Sequence, residues 1–355
     1  MEDGAAPCGA GSSGARCGRH RDTARPGSLN SRSSEGAYRP PAWLPGGHAQ
    51  TLAGALLARR PAVSYRREIW TSPDGDTIGA DFAQPEPLTA AAPVLALFHG
   101  LEGSSSSPYA LALMHEAVSR GWRALVLHFR GCGAVPNRLA RAYHSGDSEE
   151  ADWMLRALAA RWPQAPLHAA GVSLGGNVLS KWLGEREENA HLLQAAAVVS
   201  VPFDLTAGGA ALARGWNRLL YARHFLRSMQ RKALAFDRSF PGRIDIARVV
   251  ASRDLYDFDE SFTAPLHGFR DALHYWHAAS SKPWLRSVAV PLLAISARND
   301  PFVPAASLPT PACVSRSVLL EQPSQGGHAS FVRGPWPGEL GFVPRRILEF
   351  FQRGA

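Results

Sequence analysis

The sequence predicts an α/β protein: a mostly parallel, eight-stranded sheet with helices on both faces and a helical cap inserted near its end. Three observations carry that expectation. From Val94 onward, short apolar runs alternate with longer segments of helical spacing, the order of βαβ units. The runs are apolar at nearly every position, which suits strands buried on both faces. The stretch at about 203–282 that interrupts the alternation is too long for a bare loop and must carry structure of its own.

Residues 1–36 are dominated by Gly, Ser, Ala and Arg, with Leu29 the one large aliphatic side chain after Met1. So little apolar surface cannot offset the entropy of ordering, and a disordered tail is expected ahead of a folded domain at 37–355. Glu68–Trp70 and Thr77–Phe82 flank the turn Pro73-Asp74-Gly75-Asp76 and read as an antiparallel hairpin. Val94–Phe98 is a strand, Ser107–Arg120 a helix stopped at Gly121, and Arg123–Phe129 the next strand. Asp147–Arg161 is a helix that Asp147 would cap, with Glu149 and Glu150 in its first turn. Leu167–Val172 is a strand, Asn177–Glu187 a helix and Ala195–Val201 a strand. Beyond the insertion come the strands Val290–Ala297 and Ser317–Glu321 and a closing helix, Pro344–Arg353.

Inside the insertion, Leu212–Lys232 holds six basic residues (Arg214, Arg218, Arg223, Arg227, Arg231, Lys232) and no acid. Leu212, Trp216, Leu219, Ala222, Leu226 and Met229 recur at three- and four-residue spacing. The segment reads as one basic amphipathic helix, a lid that packs its stripe on the core. Peripheral membrane contact of its basic face with anionic lipid is the sharper alternative.

Composition excludes several classes. With 45% hydrophobic and 19% charged residues, the chain is neither a disordered polyelectrolyte nor a coiled coil. Cys8, Cys17, Cys132 and Cys313 make no zinc or disulfide pattern, so reduced thiols and a cytoplasmic location are expected. No apolar run approaches the length of a membrane span, and no signal-peptide run follows Met1. The net charge of +8 is scattered, without a zinc finger, RNA-binding signature or long basic run, so nucleic acid is not an expected partner. Neither GxGxxG after a strand nor GxxxxGK[ST] occurs; no cofactor and no metal is expected. The oligomeric state is left open.

The chemistry concentrates at Gly171-Val172-Ser173-Leu174-Gly175, followed by Gly176. Lying between an apolar strand and a helix, this GxSxG pattern reads as a nucleophile elbow, a tight turn that presents the Ser173 hydroxyl at the strand's carboxyl end. A plain helix-capping serine is the alternative. The order Ser, acid, His then selects Asp300, in the loop after Val290–Ala297, and His328, in the loop after Ser317–Glu321. An oxyanion hole would pair the backbone amide of Leu174 with that of Leu101, in the loop Phe98-His99-Gly100-Leu101-Glu102-Gly103. His99 sits on the wrong loop for the base and is expected to shape that loop instead. Cys132 lacks partners comparable to those of Ser173.

Taken as blocks in order, these residues resemble the YheT-like branch of the α/β-hydrolase superfamily. The resemblance runs from about Tyr38 to Phe351. It includes Arg39-Pro40-Pro41-Ala42-Trp43-Leu44, Gly47-His48-Ala49-Gln50-Thr51-Leu52 and His99-Gly100-Leu101-Glu102-Gly103-Ser104-Ser105. Asn137-Arg138 with Tyr143-His144-Ser145-Gly146-Asp147, the elbow with Asn177, and Pro202-Phe203-Asp204-Leu205 continue it. Asn299-Asp300-Pro301-Phe302 and Gly326-Gly327-His328 complete it. Departures are small: Ala134-Val135 stands where relatives often carry Gly-Glu, and Ala49 where a larger residue is common. The resemblance implies an α/β-hydrolase fold with a helical cap, and a triad of Ser173, Asp300 and His328. The expected activity is hydrolysis of carboxylic esters, lipase-like and on monoacylglycerol or short-to-medium acyl esters, through an acyl-enzyme. Acyl transfer or thioester hydrolysis on the same triad is an alternative, as is a non-catalytic binding or membrane-surface protein.

Overall fold

The structure is a computed structural model and describes residues 38–84 and 88–353. The expected tail at 1–36 lies outside the described residues. The eight strands are β1 (Arg66–Thr71), β2 (Thr77–Ala83), β3 (Val94–Phe98), β4 (Arg123–Leu127), β5 (Leu167–Val172), β6 (Ala195–Val199), β7 (Leu292–Ile295) and β8 (Val318–Glu321). They form one sheet in the order β1-β2-β4-β3-β5-β6-β7-β8. The β1–β2 hairpin and the β2–β4 pair are antiparallel, and every other pair is parallel. Parallel neighbours need crossovers, which the intervening helices supply on both faces.

Two apolar clusters sandwich the sheet. Phe98, Leu127, Val178 and Trp182 belong to one, and Leu97, Met114, Ile295 and Phe351 to the other. Side chains of neighbouring residues such as Leu97 and Phe98 go to opposite faces, so β3 is buried at all five positions. That double burial is why the strands read as unbroken apolar runs.

The helices differ from the sequence expectation at instructive places. Helix α1 (Gly47–Leu56) has no counterpart in the sequence pattern. Helices α2 (Pro108–Ser119) and α3 (Ser148–Arg161) fall close to their expected bounds. Asp147 precedes α3, but its side chain makes no cap bond; the carboxylate accepts from Arg141 instead, at 2.8 and 3.0 Å. A full ion pair outcompetes a single backbone amide for that carboxylate. Helix α4 (Leu174–Arg186) begins three residues earlier than expected, immediately after Ser173.

The insertion leaves and rejoins the body at one point, where the amide of Lys282 donates to the carbonyl of Phe203 at 2.9 Å. It is helical, opening with α5 (Leu205–Leu212) and built around a cap helix, Arg223–Ser239. Leu226, Ala233 and Phe236 of that helix pack with Val249, Phe258 and Phe262. The expected single helix at Leu212–Lys232 is broken. Gly215 takes a φ of 53° and Arg218–Ala222 forms a π turn before the cap helix begins. The π turn absorbs an extra residue and shifts the phase. It turns Tyr221 inward against Phe302, with ring centroids 4.6 Å apart, and leaves Trp216, Leu219 and Leu220 exposed. The predicted stripe therefore does not pack on the core along its whole length.

Burial also sets an acid limit to stability. His168 on β5 is wedged between Trp122 and Phe351, with centroids at 4.9 and 4.7 Å. Burial pushes its pKa down to about 4, and those of His99 and His144 down to about 3. Each is neutral when folded but gains a proton near pH 6.5 when unfolded. A folded pKa below the unfolded one contributes stability above about pH 6.5 that drains as pH falls toward 4. The unfolding temperature should therefore drop over that window, and less steeply in His168→Leu. Parallel curves for the two proteins, measured by thermal melts, would contradict this account.

Candidate active site

β5 ends at Val172, and Ser173 has φ 53° and ψ −118°, strained geometry for a residue with a side chain. Its hydroxyl makes no cap bond to α4, so the capping alternative fails. The flanking glycines are required by space. A Cβ on Gly175 would lie 2.3 and 2.4 Å from the carbonyl oxygens of Phe98 and His99, and one on Gly171 would lie 2.6 Å from the carbonyl oxygen of Gly175. The strand, turn and helix can thus close only without those side chains.

Asp300 follows β7 and His328 follows β8, so both loops open at the same carboxyl edge of the sheet as Ser173. His328 Nε2 is 3.0 Å from Ser173 Oγ. His328 Nδ1 is 2.8 and 3.1 Å from the two Asp300 carboxylate oxygens. The Asp300 side chain is fully buried, and its Oδ1 also accepts from the amide of Phe302 at 2.8 Å. The Phe302 ring lies beside the imidazole, centroids 4.1 Å apart. Three side chains distant in sequence thus form one continuous relay.

The loop after β3 reaches the same place. A Cβ on Gly100 would be 3.3 Å from Ser173 Cβ. The amide of Gly100 is taken by Tyr109 Oη at 2.8 Å, that of Glu102 by Tyr143 Oη at 3.3 Å, and that of Gly103 by the Gly100 carbonyl at 2.9 Å. The Leu101 amide has no protein acceptor among the described residues, and neither has that of Leu174, the first residue of α4. His99 lies inside this loop as a spacer. Its Nδ1 donates to the Gly100 carbonyl at 2.8 Å and its Nε2 accepts from the Phe129 amide at 3.3 Å, which fixes a neutral tautomer. Cys132 is buried 3.2 Å from Lys232 Nζ, and burial pushes its thiol pKa up, unlike an activated nucleophile.

Residues beyond the expected set hold these loops. Helix α1 bridges the acid and imidazole loops. Buried Gln50 Oε1 accepts from Asn299 Nδ2 at 3.0 Å and from the Gly326 amide at 2.8 Å, and Thr51 Oγ1 accepts from the His328 amide at 2.9 Å. Asn177 on α4 ties Ser145 to the end of the cap, its Nδ2 donating to the carbonyls of Ser145 and Ala279 at 2.7 Å each. Glu102 joins the loop after β3 to the cap helix. Its carboxylate accepts from Tyr143 Oη at 3.0 Å, from Lys232 Nζ at 2.8 Å and from Ser228 Oγ. The motifs around Gln50, Asn177 and Glu102 are visible as blocks, but their contacts to Gly326, Ala279 and Lys232 each span more than 100 residues and no local spacing announces them.

Ser173 and His328 open into a cavity of about 970 Å³ between body and cap. Its walls are mainly apolar, with Met229, Phe236, Phe258 and Phe262 on the cap side. Among the described residues no helix is long and apolar enough to cross a membrane.

A mostly parallel eight-stranded sheet with a strained serine at a strand–helix elbow, under a helical cap, is the architecture of the α/β hydrolases. The family model described as alpha/beta hydrolase fold matches residues 93–335, and the chain belongs to that family, on its YheT-like branch. It is 36% identical over 307 residues to YheT of Escherichia coli (strain K12), named as an esterase by inference, covering 86% of this chain and 90% of that one. Human phospholipase ABHD3 is 29% identical over 321 residues, covering 89% of this chain and 78% of its own. Among solved structures, the esterase Pf2001 of Pyrococcus furiosus shares the fold with a TM-score of 0.52 at 16% identity, covering 82% of this chain and 93% of that chain.

Proposed function

We propose that the protein is a serine esterase that hydrolyses carboxylic esters of lipid-like acyl chains through an acyl-enzyme. The observation that carries this reading is the relay from Ser173 Oγ through His328 to buried Asp300, beside two backbone amides, of Leu101 and Leu174, that have no protein acceptor among the described residues. As Ser173 Oγ attacks the ester carbonyl carbon, its proton passes to His328 Nε2. Asp300 holds Nδ1–H and stabilises the imidazolium. The amides of Leu101 and Leu174 bind the oxyanion of the tetrahedral intermediate. Collapse breaks the ester C–O bond, and the alcohol leaves with the proton from His328. A water molecule, deprotonated by His328, then attacks the acyl-serine and frees the carboxylic acid and Ser173.

The apolar cavity favours an acyl chain over a polar substrate, in line with the phospholipase among its relatives. The test is a chain-length series of p-nitrophenyl esters together with monoacylglycerol, run beside labelling by a fluorophosphonate probe. Wild type should be labelled and active, and Ser173→Ala neither. No turnover on any ester would set the reading aside.

A further inference from the structure

The cavity mouth carries large apolar side chains that no described residue covers. Leu56, at the end of α1, is 69% exposed, and Leu220, in the π turn of the cap, is 41% exposed; both also line the cavity, which places them at its rim. Trp216, one helical turn before Leu220, and Leu219, beside it in sequence, are 69% and 50% exposed. The two elements meet at this rim through His48 and Tyr221, whose rings stack with centroids 5.8 Å apart.

The two chain segments that form this rim are basic; the acid beside them is Glu339, which bridges to Arg59 through the backbone and pairs with Arg345. No acid occurs between Glu35 and Glu68 or between Asp204 and Asp237. Arg59, Arg214, Arg218 and Arg223 are exposed, and none is paired with a carboxylate among the described residues. Exposed tryptophan and leucine beside unpaired arginines are the two components of interfacial binding: apolar insertion and attraction to anionic headgroups. Duplex nucleic acid would use the arginines but gives no reason for a rim of leucines opening onto an apolar cavity.

We propose that this rim is a docking surface for an anionic phospholipid bilayer. Leu56, Trp216, Leu219 and Leu220 would enter the boundary between headgroups and acyl chains, and Arg59, Arg214, Arg218 and Arg223 would meet the phosphates. Ester substrate then passes from the bilayer into the cavity without crossing water. This rests on the esterase reading, but binding and turnover are measured separately.

The experiment is flotation of the full chain, as Ser173→Ala, with vesicles of phosphatidylcholine alone or mixed with phosphatidylglycerol. The protein should float with the mixed vesicles, less at high salt, and more weakly with phosphatidylcholine. Arg214→Glu/Arg218→Glu/Arg223→Glu should weaken binding to mixed vesicles by about a hundredfold. Trp216→Ser/Leu219→Ser should weaken binding to both vesicle types. With Ser173 restored, both variants should keep wild-type unfolding temperatures and wild-type turnover of a water-soluble short ester. Absence of flotation, or flotation indifferent to both variants, overturns the proposal. So does binding that duplex DNA competes away and that the Trp216/Leu219 pair does not affect, which marks a general polyanion site. Loss of short-ester turnover in wild type with vesicle binding intact would instead refute the esterase reading.

Discussion

Ser173→Ala is expected to lower ester turnover by about a millionfold while leaving the fold in place. Among the described residues the hydroxyl has one partner, His328, so its removal leaves no network of buried groups unsatisfied. The backbone strain at φ 53° is the same for alanine as for serine, and the unfolding temperature should be unchanged or slightly higher. Adding His328→Ala should cost little more, because nucleophile and base act as one unit. Turnover of Ser173→Ala within tenfold of wild type, in protein free of contaminating esterase, would mean that another group attacks the ester.

The second large effect is expected at Glu102, which touches neither nucleophile nor base. Glu102 follows Leu101, adopts φ 55°, and has a nearly buried carboxylate bound to Tyr143, Ser228 and Lys232. The Tyr143 hydroxyl in turn accepts from the Glu102 amide. The residue therefore pins the Leu101 amide in place and ties it to the cap helix. Glu102→Ala leaves a half-buried ammonium and two hydroxyls without their acceptor and frees the loop. We expect kcat to fall about a hundredfold, the scale of losing one oxyanion donor, with a much smaller change in KM. Glu102→Gln keeps an acceptor for Tyr143 and should recover part of the loss. Lys232→Met removes one of the two cap-helix bonds to Glu102, leaving that of Ser228, and should cost less than Glu102→Ala. Wild-type kcat in Glu102→Ala, measured on folded protein, would show that the loop is held without it.

The class of fold can be read from the amino-acid order, and so can the candidate nucleophile, acid and base. Those features are written locally. Strands buried on both faces must be apolar throughout, an elbow must carry glycine at Gly171 and Gly175, and parallel order sends loops such as those of Asp300 and His328 to one edge. Other features depend on how the folded chain packs. Helix α1 is a bracket because Gln50 and Thr51 meet loops more than 240 residues away. Asp147 binds Arg141 rather than capping α3, since charge pairing across a loop outweighs a local amide. The expected helix at Leu212–Lys232 breaks just before Gly215 and then carries a π turn, which sets Tyr221 against Phe302 and leaves exposed Trp216 and Leu219, which helical spacing alone assigns to the core. Short-range pattern reports which face of an element is apolar; which partner covers that face depends on chain brought together from far away, and a sequence read in windows does not contain it.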